Sequence, residues 1–343
     1  MVGKCSVGQE HNPSSGGQHC FNDLVYGGPN CPPFSGPGGV LELTCYNRHH
    51  QRGRQPLKEG ADDVFQSGQA VHGGGPFHLK PGEWTDDTSM ALCLAESLIA
   101  CEGNNPTDQL ERYTRWHREG HLSSTGRCFD IGNTVHKALS FFEQSRDPYS
   151  GPSDTWSAGN GSIMRLAPVP LFYARRPLEA IRQSGESSRT THGNRPAVDA
   201  CRYFGGLLAG AVNGVSKTQL LSGAYHSDGR VWQDSELAPE IYAIADGSFK
   251  HRMPPEIRGT GYVAASLEAA LWAFYHSDNF EAGCLMAVNL GDDADTTGAV
   301  YGQLAGACYG IADIPERWLE RLALRPLIER FAEKIYRLSR KNT

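Results

Sequence analysis

One stretch, from Asn289 to Gly310, limits what this chain can become. Its second half repeats glycine every four residues, at Gly298, Gly302, Gly306 and Gly310. That spacing places the glycines on one helical face and lets a neighbouring backbone come close. Its first half crowds Asp292, Asp293, Asp295, Thr296 and Thr297 together. Membrane dimers use the same glycine spacing. The acids upstream, Gln303 within the helix and the lack of an apolar run of about 18 residues argue against a span. The reading is a buried helix whose N-terminal end carries a dense group of oxygens. Hard donors of this kind suit Mg²⁺, Mn²⁺ or Ca²⁺. Asp and Thr are also ordinary N-caps, so this group alone leaves capping and metal binding both open.

A second group shifts the balance. Gly82-Glu-Trp-Thr-Asp-Asp-Thr-Ser-Met90 leads into a helix-forming stretch over 91–99. Thr85, Asp86 and Asp87 therefore stand at a helix start, and two adjacent acids exceed what a cap requires. The two groups lie about two hundred residues apart. Brought face to face, they would offer six oxygens to one or two cations.

Between them, Gly159-Asn-Gly-Ser-Ile-Met-Arg-Leu-Ala-Pro168 reads as a glycine-rich turn opening an apolar helix. Free N–H groups and the helix dipole there suit a phosphate, although ordinary loop-to-helix junctions look alike. Arg165 reads as a phosphate partner or as a solvated side chain. His192, just before a helix expected over 196–212, has the position of a cap or a surface residue.

Residues 1–72 differ in character. They are rich in Gly, Pro, His, Arg and Asn, hold four of the ten cysteines, and sustain no helical period. An atypical, poorly ordered segment is expected there, followed by one helical domain over 73–343. Further helices are expected over 106–117, 135–144, 216–225, 261–275, 279–289, 315–324 and 326–338. No alternation of strands with helices is visible, so the fold class is all-α, a single compact multi-helix bundle. A net charge of −6 argues against a general nucleic-acid binder. The cysteines show no metal spacing, and no apolar signal core opens the chain, so a cytoplasmic monomer without membrane attachment is expected.

Four segments together resemble the ADP-ribosylglycohydrolase family: residues 82–90, Phe129-Asp-Ile-Gly-Asn-Thr134, residues 159–165, and Asn289-Leu-Gly-Asp-Asp-Ala-Asp-Thr-Thr-Gly298. The resemblance implies an orthogonal all-α bundle and a binuclear Mg²⁺ or Mn²⁺ centre at the bottom of a cleft. By position it implies Thr85, Asp86, Asp87, Asp293, Asp295 and Thr296 as metal ligands. Asn160, Gly161, Ser162 and Met164 resemble the loop that cradles the diphosphate of ADP-ribose. Phe129, Asp130 and Gly132 resemble a loop lining the same cleft, with His192 and Tyr262 toward the ribose or adenine. The implied activity is hydrolysis of the glycosidic bond joining ADP-ribose to a protein side chain or small molecule, with Asp86, Asp87 or Asp293 taking a proton.

Such proteins usually begin with a helix carrying Gly-Asp-Ala-x-Gly and a nearby glutamate. Here Gly36-Pro-Gly-Gly-Val-Leu-Glu42 is a thin echo, with Pro37 in place of the acid and Glu42 as the counterpart of the catalytic glutamate. That departure keeps two other readings in play: a binding or structural relative that has lost its chemistry, and a Mg²⁺-dependent nucleotide phosphohydrolase.

Overall fold

The computed structural model describes residues 74, 76–223, 225 and 236–341. Residues 1–72, Glu42 among them, lie outside the described residues. The rest is helical: α1 (Asp86–Cys101), α2 (Pro106–Glu119), α3 (Asn133–Ser145), α4 (Pro168–Phe172), α5 (Pro177–Arg189), α6 (Arg195–Val212), α7 (Lys217–Leu220), α8 (Pro239–Ala245), α9 (Val263–Tyr275), α10 (Phe280–Asn289), α11 (Ala294–Tyr309), α12 (Glu316–Leu319) and α13 (Arg325–Lys341). Among the described residues the β-structure amounts to isolated bridges, Gly74 with Leu79 and Gly159 with Tyr262. The all-α expectation is met. No described helix is long and apolar enough to cross a membrane.

Helices apolar on every side belong in the middle of a bundle, and those with one apolar stripe belong outside. α1 and α11 are buried around nearly their whole circumference. By contrast, α13 buries only Ile328, Ala332, Ile335 and Ser339, a single stripe packed on α1 and α4. α2 shows how sequence sets such a helix. The Asn105 side chain accepts from the Asp108 N–H, Pro106 opens the first turn, Leu110, Tyr113 and Trp116 face inward, and Gly120 closes it at φ +70°.

The most intimate helix pair is α5 with α6. A Cβ on Gly205 would stand 2.2 Å from Ser184 Oγ, and one on Gly185 would stand 2.8 Å from Arg202 Cγ. The glycine series of α11 behaves differently from expectation at its end. Gly298, Gly302 and Gly306 are buried in the helix, but Gly310 lies beyond it as the C-cap, at φ +80°.

Three further expectations need correction. The segment after Gly159 forms consecutive turns, not a helix, and regular helix begins only at Pro168. Ala167 already takes helical backbone angles, φ −44° and ψ −40°, so the delay lies in the turns before it and not in the residue preceding Pro168. The helices expected over 216–225 and 315–324 shrink to the short α7 and α12. Finally, α5 and α8 were not anticipated. The buried face of α5 consists of Ala180, Ile181, Ser184, Gly185, Ser187 and Ser188, too small and polar to register as an apolar period.

Candidate active site

The first motif is held from below. Gly82 sits at φ +90°, where an added Cβ would fall 1.7 Å from the Arg321 carbonyl oxygen, and its own carbonyl accepts from the Ala323 N–H. Trp84, fully buried, exchanges hydrogen bonds with the Ser124 hydroxyl. This anchoring fixes the N-terminus of α1, where Thr85 caps the helix and donates through Oγ1 to Asp87 Oδ2 at 2.9 Å. The other oxygen of Asp87 is buried and meets no donor at normal hydrogen-bond geometry among the described residues.

The N-terminus of α11 faces it. The Asp293 N–H donates to the Gly259 carbonyl, and the Thr297 hydroxyl turns back on the Asp293 carbonyl at 2.8 Å. A Cβ on Gly259 would meet Thr297 Oγ1 at 2.0 Å, so only glycine permits this approach. Asn160 Nδ2 donates to Asp293 Oδ2 at 2.7 Å and also reaches Ser266 Oγ at 2.9 Å. Asp292 turns outward, exposed at φ +53°, and pairs with Arg258 at 2.7 Å.

The turns at 160–164 form the third wall. Gln303 on α11 holds them by accepting from the Ala167 N–H at 2.8 Å and donating to the carbonyls of Ile163 and Met164. Among the described residues the Gly161 and Ser162 N–H groups meet no acceptor, which suits an anion cradle. Ser162's side chain points into the interior and accepts from Ser188 Oγ at 2.9 Å. His192 is 1% exposed and packs under the glycines, so close that a Cβ on Gly161 would stand 2.9 Å from its Cε1. It is therefore neither a cap nor a surface residue; the cap position of α6 belongs to Asn194. Arg165 is likewise buried, at 1% exposure, so the solvated alternative for it fails.

These walls enclose a cleft of about 370 Å³ lined by Asp86, Asp130, Gly132, Asn160, Gly161, Met164, His192, Asp293, Asp295 and Thr296, a size suited to a small ligand. Asn133, Thr134 and Gly159, which belong to the quoted motifs but were assigned no role there, line it too, and so do Val135 and Gly261, which lie outside those motifs. Gly261 is brought there by the Gly159–Tyr262 bridge and by its carbonyl, which accepts from the Asn160 N–H at 3.1 Å, and neither contact has a sequence signature. Thr85 and Asp87 lie in the wall behind the lining. Phe129 stacks at 5.1 Å on Phe77, and Tyr262 stands at the rim with its hydroxyl on Glu240.

The carboxylates repel one another. Burial, then the charge of Asp87, pushes Asp86 well above the ordinary carboxylate range. Burial and then Asp87 do the same to Asp295. Asp87 is raised to about 7 by burial and then Asp293, against the easing influence of the Thr85 and Thr296 hydroxyls. Those cross-influences show the two helix starts facing each other. Exposed at the mouth, Asp130 is also raised, by the surrounding wall and then by Asp293. His192 is held neutral, its pKa lowered to about 3 by burial and then by Arg165. No three His, Cys, Asp or Glu side chains among the described residues already stand at joint coordinating distance. The chemistry of the donors nevertheless fits a hard divalent cation: hydroxyl and carboxylate oxygens, one buried Asp87 oxygen without a donor at normal geometry, and crowded negative charge that a cation would relieve in place of a proton.

An all-α bundle with acids on two facing helix starts and an anion-receptive loop defines a class of hydrolase scaffold, and comparison gives it a family. The family model for ADP-ribosylglycohydrolase matches residues 39–343, and the chain belongs to that family. It is 40% identical over 264 residues to an ADP-ribosylarginine hydrolase, Tri1, of Serratia proteamaculans, covering 77% of this chain and 70% of that one. It is 30% identical over 254 residues to the ADP-ribosyl-[dinitrogen reductase] glycohydrolase of Rhodospirillum rubrum, covering 74% of this chain and 78% of that one. A solved ADP-ribosylglycohydrolase-related protein complex contains a chain with a TM-score of 0.72 and 40% identity, covering 88% of this chain and 95% of that chain.

Proposed function

We propose that this protein hydrolyses the glycosidic bond between ADP-ribose and an arginine side chain, using two bound Mg²⁺ or Mn²⁺ ions. The observation that carries this is the meeting, in one cleft, of the α1 and α11 acids with the 160–164 turns. The arginine acceptor rests on the 40% identity to ADP-ribosylarginine hydrolase.

Thr85, Asp86, Asp87, Asp293, Asp295 and Thr296 are the residues that would hold the cations. Bound there, the cations supply Lewis acidity, making a water easier to deprotonate and steadying charge on ribose oxygens. Asp86 is the proton acceptor in this reading, because it lines the cleft while Asp87 is turned toward Thr85. Asn160 keeps Asp293 oriented. The amides of Gly161 and Ser162 receive the diphosphate, and the neutral His192 imidazole lies beneath them without bringing a second charge.

Turnover of ADP-ribosyl-arginine and ADP-ribosyl-serine peptides, with Mg²⁺, with Mn²⁺ and with EDTA, tests the proposal. Release of intact ADP-ribose from the arginine peptide, abolished by EDTA, is expected. Phosphate release would favour the phosphohydrolase reading instead. Release from serine alone would overturn the acceptor.

A further inference from the structure

Beneath the 160–164 turns lies a charge that the hydrolytic scheme does not use. Arg165 is 1% exposed. Its Nη1 donates to the Gly161 carbonyl at 2.9 Å, and its Nη2 donates to Thr191 Oγ1 at 2.7 Å and Thr190 Oγ1 at 3.2 Å. The guanidinium lies over the Tyr113 ring, 4.5 Å from its centroid. Every one of these partners is neutral. Among the described residues no carboxylate pairs with it, and its Nε meets no acceptor.

A buried cation is costly unless an anion compensates it. Neutral acceptors recover part of that cost, and a structural strut between two loops needs no full charge to do so. The position of the charge is informative. One nitrogen holds the carbonyl of Gly161, a residue that lines the cleft, and another holds Thr191, whose hydroxyl in turn contacts His192 Nδ1 at 2.9 Å. One guanidinium thus sets both the turn and the imidazole packed beneath it.

We propose that Arg165 is a positioning residue for an anionic substrate group. Its charge completes the electrostatics of the 160–164 cradle, and its fork fixes Gly161 and His192 at the same time. The inference rests on the ADP-ribose reading above, the diphosphate being the anion. Lysine keeps the charge but not the fork, and methionine keeps neither.

The test is calorimetric binding of ADP-ribose to the full chain and to Arg165→Lys and Arg165→Met, at low and high salt. Melting curves confirm folding, and kcat and KM are measured on the cleavable peptide. Affinity is expected to fall about tenfold in Arg165→Lys and about a hundredfold in Arg165→Met, with a flatter salt dependence in the latter. KM is expected to rise more than kcat falls. A folded Arg165→Met that binds ADP-ribose as the parent does overturns the inference, and so does a loss carried by kcat alone. If Arg165→Met does not fold, Arg165→Lys decides: unchanged affinity overturns the inference and weakened affinity supports it. A parent protein that binds no ADP-ribose overturns the functional reading and this inference with it, whereas normal parent binding with indifferent variants overturns the inference alone.

Discussion

Asn160 and Asp293, 133 positions apart in sequence, are joined by a 2.7 Å hydrogen bond from amide to carboxylate. The bond ties the substrate turns to the start of α11, so an amide is required at one end and a carboxylate at the other. Asn160→Asp would set like charges against each other. Turnover should drop about ten- to a hundredfold while the fold survives, since hydrogen bonds to charged groups contribute about 1.5–3 kcal/mol. Peptide turnover alongside a melting curve checks this, and near-normal turnover would refute it.

Removing acids from the cleft should separate activity from stability. Asp86→Asn and Asp295→Asn are expected to abolish turnover. In EDTA both should melt at or above the parent's temperature, because each deletes a carboxylate that burial and its neighbours already oppose. Asp292→Asn is the contrast. Asp292 is exposed, paired with Arg258 and set at a positive φ that asparagine also tolerates. Its change should cost less than about 1 kcal/mol and leave turnover intact. Melting below the parent in EDTA for the cleft variants would contradict the repulsion argument.

The pH dependence has a definite sign. Asp87 titrates near 7 in the folded chain against an ordinary 3.8. Between those values the folded chain keeps a proton that the unfolded chain has lost, so this group's contribution to stability falls as pH rises. A bound cation takes over the proton's role. The melting temperature in Mg²⁺ minus that in EDTA should therefore widen from about pH 5 to about pH 8. His192 acts in the opposite direction. Its folded pKa is lowered to about 3, so its neutral burial adds stability above the unfolded value near 6.5 that is lost toward acid. Being common to both scans, it cancels in the difference. A gap that stays constant or narrows with pH counts against the cation site.

Gln303 should prove a stability residue with a functional signature. Its amide satisfies the Ala167 N–H and the Ile163 and Met164 carbonyls, all buried. Gln303→Leu orphans the Ala167 N–H and the Met164 carbonyl, at about 1–3 kcal/mol each, while the Ile163 carbonyl keeps the Leu166 N–H. Urea unfolding should show a loss of several kcal/mol, and ADP-ribose binding should weaken because the turns lose their clamp. A loss under about 1 kcal/mol would show that the loop is held by other contacts.

Much of this site was legible in the residues, and the limits have physical causes. Thr85, Asp86, Asp87, Asp293, Asp295 and Thr296 announced themselves because two acids at a helix start exceed what capping needs. Residues 160–164 stood out as a glycine-rich turn, although the helix expected to open there starts only at Pro168. Gln303 was visible only as a polar residue in a glycine-rich helix. Its role as a clamp depends on a contact about 140 positions away, which no local pattern encodes. His192, read as a cap or a surface residue, and Arg165, read as a phosphate partner or a solvated side chain, are both buried, and nothing local signals that burial. The interment of His192 depends on Gly159 and Gly161 having no side chains. Glu42 lies outside the described residues, within the segment that the family match takes in from residue 39.

The close approach of α5 and α6 bears on the cleft from a distance. His192 stands in the short link between these two helices, so their separation sets how high the imidazole sits beneath the glycine turns. Hydrogen atoms at Gly185 and Gly205 act as a spacing gauge between two cylinders. A single methyl group at position 205, outside the cleft lining, would prise the pair apart and tilt the floor of the cleft. The shape of this cleft is therefore set partly by the thinnest contacts in its scaffold, at positions outside its lining.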